Sequence, residues 1–180
     1  MSAPRIQSYA EADAFLLAGR DPLRRPVPSM KGTAVVLAGL RLIEVQYHGT
    51  PVVTYSPTGD ITIRTGGFHT LTTRDRISTF TPLRASAAGI GRMSWGGTYL
   101  HDTATRHPDG RITSDYTEER QAANMKLLAE LKVEADKILR DAKAQGGWDR
   151  GFFAEYGGYS RKSVLSTLVR RAGLEAERLP

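Results

Sequence analysis

The chain has 180 residues, of which 40% are hydrophobic and 24% are charged, as in an ordinary globular protein. It contains no cysteine, which excludes disulfides, thiolate metal sites and cysteine catalysis. It lacks the apolar runs of a membrane span or a secretory signal, so we expect no membrane partner. The formal net charge of +6 favours polyanions such as nucleic acid as partners, with solubility alone as the alternative role of the charge.

The N-terminal segment predicts one helix followed by a linker. Ser8 and Glu11 have capping-box spacing at the start of SYAEADAFLLAGR, and Gly19 ends the helix. The next stretch, RDPLRRPVPSMKG, contains four basic residues and three prolines. Because proline resists regular structure, we interpret it as a basic, extended linker. Residues 1–31 therefore form an N-terminal helix and linker.

Residues 32–114 are predicted to form an antiparallel β domain. Apolar residues alternate with polar ones in RLIEVQYH, which indicates a half-buried strand. PVVTY and DITIRT flank a Pro-Thr-Gly turn and predict a hairpin. FHTLTT is interpreted as a further strand and TRDRIST as a short helical turn stopped by Pro82, after which residues 90–114 return to the sheet.

A long amphipathic helix is predicted over residues 115–147. About thirty residues after Asp115 contain neither Gly nor Pro, and Asp115 with Glu118 repeats the capping-box spacing. The apolar stripe indicates packing against the same chain, with a coiled-coil seam as the alternative, and Gly146-Gly147 is expected to end the helix. The stripe consists of Leu128, Leu131, Ala135, Ile138 and Ala142.

Residues 43–82 contain the motifs His-x-Thr, Val-Val-Thr-Tyr, Gly-Gly-aromatic, Thr-x-Thr-Thr and Asp-Arg, in this order. In this pattern the segment resembles a family of uncharacterised proteins that are common in phages of actinobacteria. The resemblance implies a phage origin and a small β-rich domain, but no activity. We expect the protein in the cytoplasm of the host cell, with which the absence of cysteine is compatible. Phe68 stands where the family usually has Trp, and Arg64-Thr65 where it often has Asn. The matching residues are His48, Thr50, Val52-Val53-Thr54-Tyr55, Gly59, Gly66-Gly67-Phe68, Thr70, Thr72-Thr73 and Asp75-Arg76.

Residues 149–174 resemble a helix-turn-helix, in a C-terminal module of residues 148–180. Ala154 stands at the position of the small residue in the first helix, and Gly158 follows in the turn. Ser160 is expected to cap the second helix, and Val164 and Leu168 are expected to anchor it.

This segment departs from the helix-turn-helix pattern at three places. Leu165 stands where a residue should face DNA, Thr167 stands where an apolar residue should face inward, and Gly157-Gly158 makes a loose turn. The alternative is a helical hairpin packed on the β domain.

The helix-turn-helix resemblance implies duplex DNA as the partner and the second helix as the reading element. Arg161 and Lys162 would donate to guanine, and serine is too short to specify a base strongly. Arg170 and Arg171 would contact phosphates. The predicted DNA-binding residues are Ser160, Arg161, Lys162, Ser163, Ser166, Arg170 and Arg171.

No catalytic residue, metal ligand or cofactor is predicted. His101, Asp102, His107 and Asp109 lie close together in sequence, but no spacing among them matches a known ligand motif.

The predicted strands and helices together indicate an α+β fold class, with a β-meander, a long helix and a C-terminal helical module. The predicted function is DNA binding, possibly regulatory. The alternative is a non-enzymatic module that binds a host or phage protein through the β domain, and a nuclease or other hydrolase ranks below both.

Overall fold

The computed structural model describes residues 3–89, 92–144, 150–158 and 160–172. The chain divides into two compact units. Residues up to Ala88, together with Arg92–Asp115, form what we call the β unit, and the chain from Tyr116 onward belongs to what we call the helical unit. Antiparallel sheets in the first unit and helices in the second confirm the α+β class.

The β unit contains two antiparallel sheets. The strands are β1 (Arg24–Pro26), β2 (Thr33–Leu37), β3 (Ile43–Tyr47), β4 (Thr50–Tyr55), β5 (Ile61–Arg64), β6 (Ala85–Ala87), β7 (Met93–Trp95), β8 (Thr98–Leu100), β9 (Thr103–Arg106) and β10 (Ile112–Ser114). Seven of them form one sheet in the order β1-β2-β3-β4-β5-β9-β10, and three form a second sheet in the order β6-β7-β8.

Two α-helices, α1 (Tyr9–Leu17) and α2 (Leu71–Thr79), accompany the sheets, together with one 3-10 turn at Gly39–Arg41. The Ser8 hydroxyl caps α1, as predicted, by accepting a hydrogen bond from the amide of Glu11 at 3.3 Å. Thr70 caps α2 in the same way, through the amide of Thr73 at 3.2 Å. The strand expected over FHTLTT is therefore wrong, because Leu71–Thr73 form the first turn of α2.

The core of the β unit lies under the inward faces of the strands. Ile43 and Val45 are fully buried, which confirms the alternation seen in RLIEVQYH. The buried hydroxyl of Tyr55 lies 3.0 Å from the carbonyl oxygen of Ile6 and 2.5 Å from that of Phe80. The indole of Trp95, also fully buried, donates to Thr81 at 3.0 Å. These polar contacts join segments that are distant in the sequence across the apolar core.

The basic, proline-rich stretch differs from the predicted linker. Residues 24–26 pair with residues 34–36 as an edge strand of the sheet. Proline is tolerated there because an edge strand leaves some of its amides without a ladder partner. Arg25 also donates to the carbonyl oxygen of Phe15 in α1 at 2.6 Å. This segment is therefore part of the β unit.

The helical unit contains α3 (Glu118–Ala144), α4 (Arg150–Tyr156) and α5 (Arg161–Arg171). The long helix is confirmed, but its cap is Thr117, whose hydroxyl accepts from the amide of Arg120 at 3.1 Å. Asp115 instead accepts from the amides of His101 and Asp102. The expected helix end at Gly146-Gly147, together with Asp149 and residues 173–174 of the helix-turn-helix segment, lies outside the described residues. No helix in the described ranges is both long and apolar enough to cross a membrane.

Candidate functional site

The predicted DNA-binding helix, α5, packs on α3. Val164 and Leu168 are buried, as predicted from the sequence, and Leu165 and Val169 are buried beside them. They form one apolar cluster with Leu128, Leu131 and Ala135 of α3. The rings of Phe152 and Tyr156 in α4 lie 4.7 Å apart, centroid to centroid, and pack against the same cluster. The long helix is therefore the main support of α5.

The start of α5 uses two of the predicted DNA-binding serines for capping. The Ser160 hydroxyl accepts from the amide of Ser163 at 3.1 Å, which confirms the predicted cap. The two hydroxyls also lie 2.9 Å apart. Gly158 precedes them, and a Cβ atom on Gly158 would lie 2.5 Å from the hydroxyl oxygen of Ser163. The second glycine of the turn therefore leaves room for the capping residues.

Two of the predicted arginines are held by carboxylates of the helical unit. Arg161 donates from Nε and Nη2 to the carboxylate of Asp136 in α3, at 2.6 and 2.9 Å. These hydrogen bonds hold the pKa of Asp136 below its ordinary value. Arg171 pairs with Glu155 of α4 at 3.2 Å. Both guanidinium groups thus join α5 to a neighbouring helix.

The remaining predicted residues follow one line along α5. Lys162, Ser166 and Arg170 are spaced four residues apart, so they share one side of the helix, which we call the outward stripe. Lys162 and Arg170 are exposed, Ser166 is half-buried, and among the described residues neither cation pairs with a carboxylate. The stripe extends over about 12 Å of helix axis.

Two positions differ from the helix-turn-helix pattern. Ala154, expected at the helix crossing, is exposed. Leu165, at the position expected to face DNA, is only 2% exposed because it packs in the cluster with α3. Thr167 is half-buried and donates to the carbonyl oxygen of Tyr156 at 3.3 Å, which explains a polar residue on an inward position.

The histidine-rich stretch does not assemble into one group. His101 and Asp102 precede β9 and His107 follows it, so the four-residue strand, about 13 Å long, lies between them. Asp109 lies in the next turn and accepts from the amide of Arg111 at 2.9 Å. His107 contacts Asp60 at 2.8 Å and Thr113 at 3.1 Å. Among the described residues, no three His, Asp or Glu side chains are grouped so as to hold a metal ion.

A second candidate site, missed from the sequence, lies in the β unit. A cavity of about 390 Å³ opens between the β3–β4 hairpin, the loop after β5 and the first turn of α2. All lining residues except Tyr47 and Thr65 belong to the pattern that resembles the phage family. The lining residues are Tyr47, His48, Thr50, Val52, Thr65, Phe68, Thr70, Thr72 and Thr73. That pattern was the signal in the sequence that could have indicated the site, because it includes residues of the β3–β4 hairpin and of the stretch that follows β5.

The β3–β4 hairpin supplies one wall of this cavity. His48 and Gly49 have φ values of 48° and 84°, as in a two-residue type I′ turn. The His48 imidazole packs on Gly32, where a Cβ atom would lie 2.7 Å from the ring. The pairing then shifts at a β-bulge in β4, and both Val52 and Val53 are buried. The bulge therefore turns Val52 toward the cavity.

The loop after β5 supplies another wall and is held by Asp102. The carboxylate of Asp102 accepts from the Thr65 hydroxyl at 2.8 Å and from the amide of Gly67 at 3.1 Å. Partial burial raises the pKa of Asp102, but the Thr65 hydroxyl and the backbone amides of residues 65–67 outweigh it and lower the pKa. Gly66 and Gly67 both have positive φ, and this double-glycine turn presents Phe68 at the cavity.

These two sites, the outward stripe and the cavity, lie in different units, and each is complete within its own unit. The DNA-binding and phage-family interpretations of the sequence stay predictions. Comparison of the chain with protein families, with curated proteins and with solved structures finds no match.

Proposed function

We propose that the protein binds duplex DNA through the outward stripe of α5. The observation that carries the proposal is the pair of exposed cations, Lys162 and Arg170, that have no carboxylate partner among the described residues. Both lie on one side of a helix whose opposite side is fixed to α3 by buried apolar residues. Such a helix can present charge to phosphates without losing its own packing.

Contacts to the phosphate backbone are expected to dominate the affinity. Arg161, the residue best suited to read guanine, is engaged by Asp136, and Ser166 is too short to specify a base strongly. We therefore propose binding with strong salt dependence and little sequence preference. The resemblance of residues 43–82 to phage proteins supports a setting inside an infected bacterial cell, where duplex DNA is abundant.

The test compares two double variants of the full chain in mobility-shift titrations on a duplex of mixed sequence. Lys162→Ala with Arg170→Ala removes both cations of the stripe. Lys126→Ala with Lys143→Ala removes two exposed cations from α3 and is matched in net charge. Titrations between about 50 and 200 mM salt give the slope of log affinity against log salt.

The stripe variant should weaken binding and flatten the salt slope by about two units, because about 0.9 unit is lost for each phosphate contact. The α3 variant should keep most of the wild-type slope. Equal losses of affinity in the two variants would mean that the binding depends on net charge alone and not on the position of the stripe. Absence of any wild-type shift at low salt would overturn the proposal.

A further inference from the structure

A second opening in the β unit, which we call the cleft, lies between the turn before β2, the β3–β4 hairpin and α2. Its volume is about 500 Å³, and three charged side chains belong to its wall. None of the residues that line the 390 Å³ cavity is Asp, Glu, Lys or Arg, so the two openings differ in chemistry. The wall of the cleft includes Met30, Lys31, Tyr47, His48, Asp75 and Arg76.

Arg76 is a buried cation in the wall of the cleft. The residue is only 6% exposed, and the ring of Tyr47 covers one face of its guanidinium at 3.7 Å. The guanidinium donates to neutral oxygens, namely the Thr33 hydroxyl and the carbonyl oxygens of Thr72 and Lys31, at 2.8 to 3.2 Å. In the described part of the chain it forms no ion pair with a carboxylate. Because burial of an unpaired charge is costly, an anion beside Arg76 would stabilise the β unit.

The guanidinium of Arg76 retains donors for such an anion. A guanidinium has five N–H groups, and the three hydrogen bonds use one on Nε, one on Nη1 and one on Nη2. One N–H on each Nη atom therefore has no acceptor among the described residues. Donors on two nitrogens of one guanidinium match two oxygens of a single carboxylate or phosphate.

The side chains beside Arg76 make the cleft positive overall. Lys31 is exposed and, within the described ranges, pairs with no carboxylate. The His48 imidazole packs on Gly32, the residue after Lys31, and its ring can donate a further hydrogen bond. Asp75 is exposed and forms an ion pair with neither cation among the described residues. Two cations thus oppose one carboxylate in the wall.

We propose that the cleft binds the oxyanion group of a small molecule, a terminal phosphate or a carboxylate, through Arg76 and Lys31. Because Arg76 is buried in the wall, the anion must enter the cleft to reach it. A terminal group can enter, whereas each phosphate of a duplex is held between two sugars of the backbone. The volume lies within the range of about 300 to 1,000 Å³ that is usual for small-molecule sites. This site belongs to the β unit and is independent of the proposed DNA contact.

The test is an NMR titration of the full chain with inorganic phosphate and, separately, with sodium acetate, at neutral pH and constant ionic strength. The observed signals are the Met30 methyl group, the His48 ring and the guanidinium N–H groups of Arg76. We expect at least one of the two anions to move all three signals in a saturable way. The anion that binds more tightly identifies the oxyanion group that the cleft prefers. A short DNA duplex is the third probe.

Two pairs of exposed-residue variants locate the binding. Lys31→Ala removes a cation from the wall and should weaken the affinity for the bound anion about two- to fivefold. Lys126→Ala removes the same charge from α3 and should have no effect. Asp75→Asn removes the opposing carboxylate and should strengthen binding by a similar factor, whereas Asp141→Asn, on α3, should not.

Three results would overturn the proposal. The first is that neither small anion moves the signals of Met30, His48 and Arg76. The second is that only the duplex moves them, which would make the cleft a contact for nucleic acid. The third is that each cleft variant binds the anion as its control on α3 does, which would mean that the anion binds elsewhere.

Discussion

Arg161 at the start of α5 donates two hydrogen bonds to the carboxylate of Asp136 in α3, at 2.6 and 2.9 Å. The guanidinium is about half exposed, so the pair is accessible to solvent and to a ligand. Because the bidentate geometry occupies the two groups that would read guanine, Asp136 competes with a base for Arg161. The carboxylate of Asp136 therefore restricts base recognition by Arg161 in α5.

Replacing Asp136 by Asn should strengthen duplex binding and steepen its salt dependence. The change adds one net positive charge and releases Arg161 toward the ligand. Asp141→Asn adds the same charge on α3, at an exposed position, and serves as the control. Mobility-shift titrations at several salt concentrations should show a larger gain for the Asp136 variant. Equal gains in the two variants would mean that Arg161 takes no part in binding.

Truncation of the inward side of α5 should destabilise the helical unit. Leu165→Ala and Leu168→Ala each remove a buried side chain from the cluster with α3, and each should cost about 2–5 kcal/mol of unfolding free energy. Ser166→Ala, on the outward stripe, should cost little. Urea unfolding followed by the far-ultraviolet helix signal measures the three changes. A negligible cost at Leu165 would return that residue to the ligand-facing side predicted by the helix-turn-helix pattern.

The elements with a clear period could be predicted from the sequence. Ile43 and Val45 alternate with polar residues because one face of β3 is buried and the other is not. Leu128, Leu131 and Ala135 recur at helical spacing because α3 turns one side to α5. Ser8 and Ser160 were recognised as caps because the residues that follow them set the start of a helix. In each case, neighbouring residues in the sequence are enough to indicate the strand, the helix or the helix start.

The elements that depend on distant contacts could not be predicted. Leu71–Thr73 have strand-like composition but begin α2, because Thr70 caps the helix and Arg76 ties it to Thr33. The sheet pairs β5 with β9, across the whole insertion that forms the second sheet. The cavity combines a bulged hairpin with a glycine loop and the helix start that follows it, and β5 separates the hairpin from the other two walls in the sequence.

Loss of one buried hydroxyl should destabilise the β unit. Tyr55→Phe leaves the carbonyl oxygens of Ile6 and Phe80 without that hydrogen bond in the buried core, which should cost about 1–3 kcal/mol. Burial also raises the pKa of Tyr55, so the phenol stays protonated and can donate. Tyr9→Phe is the control, since the Tyr9 hydroxyl has no hydrogen bond in the described part of the chain. Urea unfolding followed by Trp95 emission, with Trp148 replaced by Phe, measures both.

Asp102→Asn should remove part of the acid sensitivity of the β unit. The folded-state pKa of Asp102 lies below the unfolded value of about 3.9, so its ionised form favours the folded state. This contribution is complete above about pH 4 and is lost as the pH falls through the folded-state pKa. Wild-type stability, followed by Trp95 emission, should therefore fall more steeply below about pH 4 than that of the variant. Asp75→Asn, which changes an exposed carboxylate, should keep the wild-type pH profile.

Two glycines with equally open surroundings should respond differently to alanine. No atom lies within 4 Å of a Cβ built on Gly49 or on Gly39, so neither substitution creates a clash. Gly49 has a φ of 84° in the β3–β4 turn, whereas the φ of Gly39 lies outside the left-handed region. Gly49→Ala should therefore cost about 1–2 kcal/mol through backbone strain alone. Gly39→Ala should be neutral or stabilise slightly, because alanine restricts the unfolded chain. Urea unfolding of both variants measures the difference, and equal stabilities would mean that the turn changes its type when Gly49 is replaced.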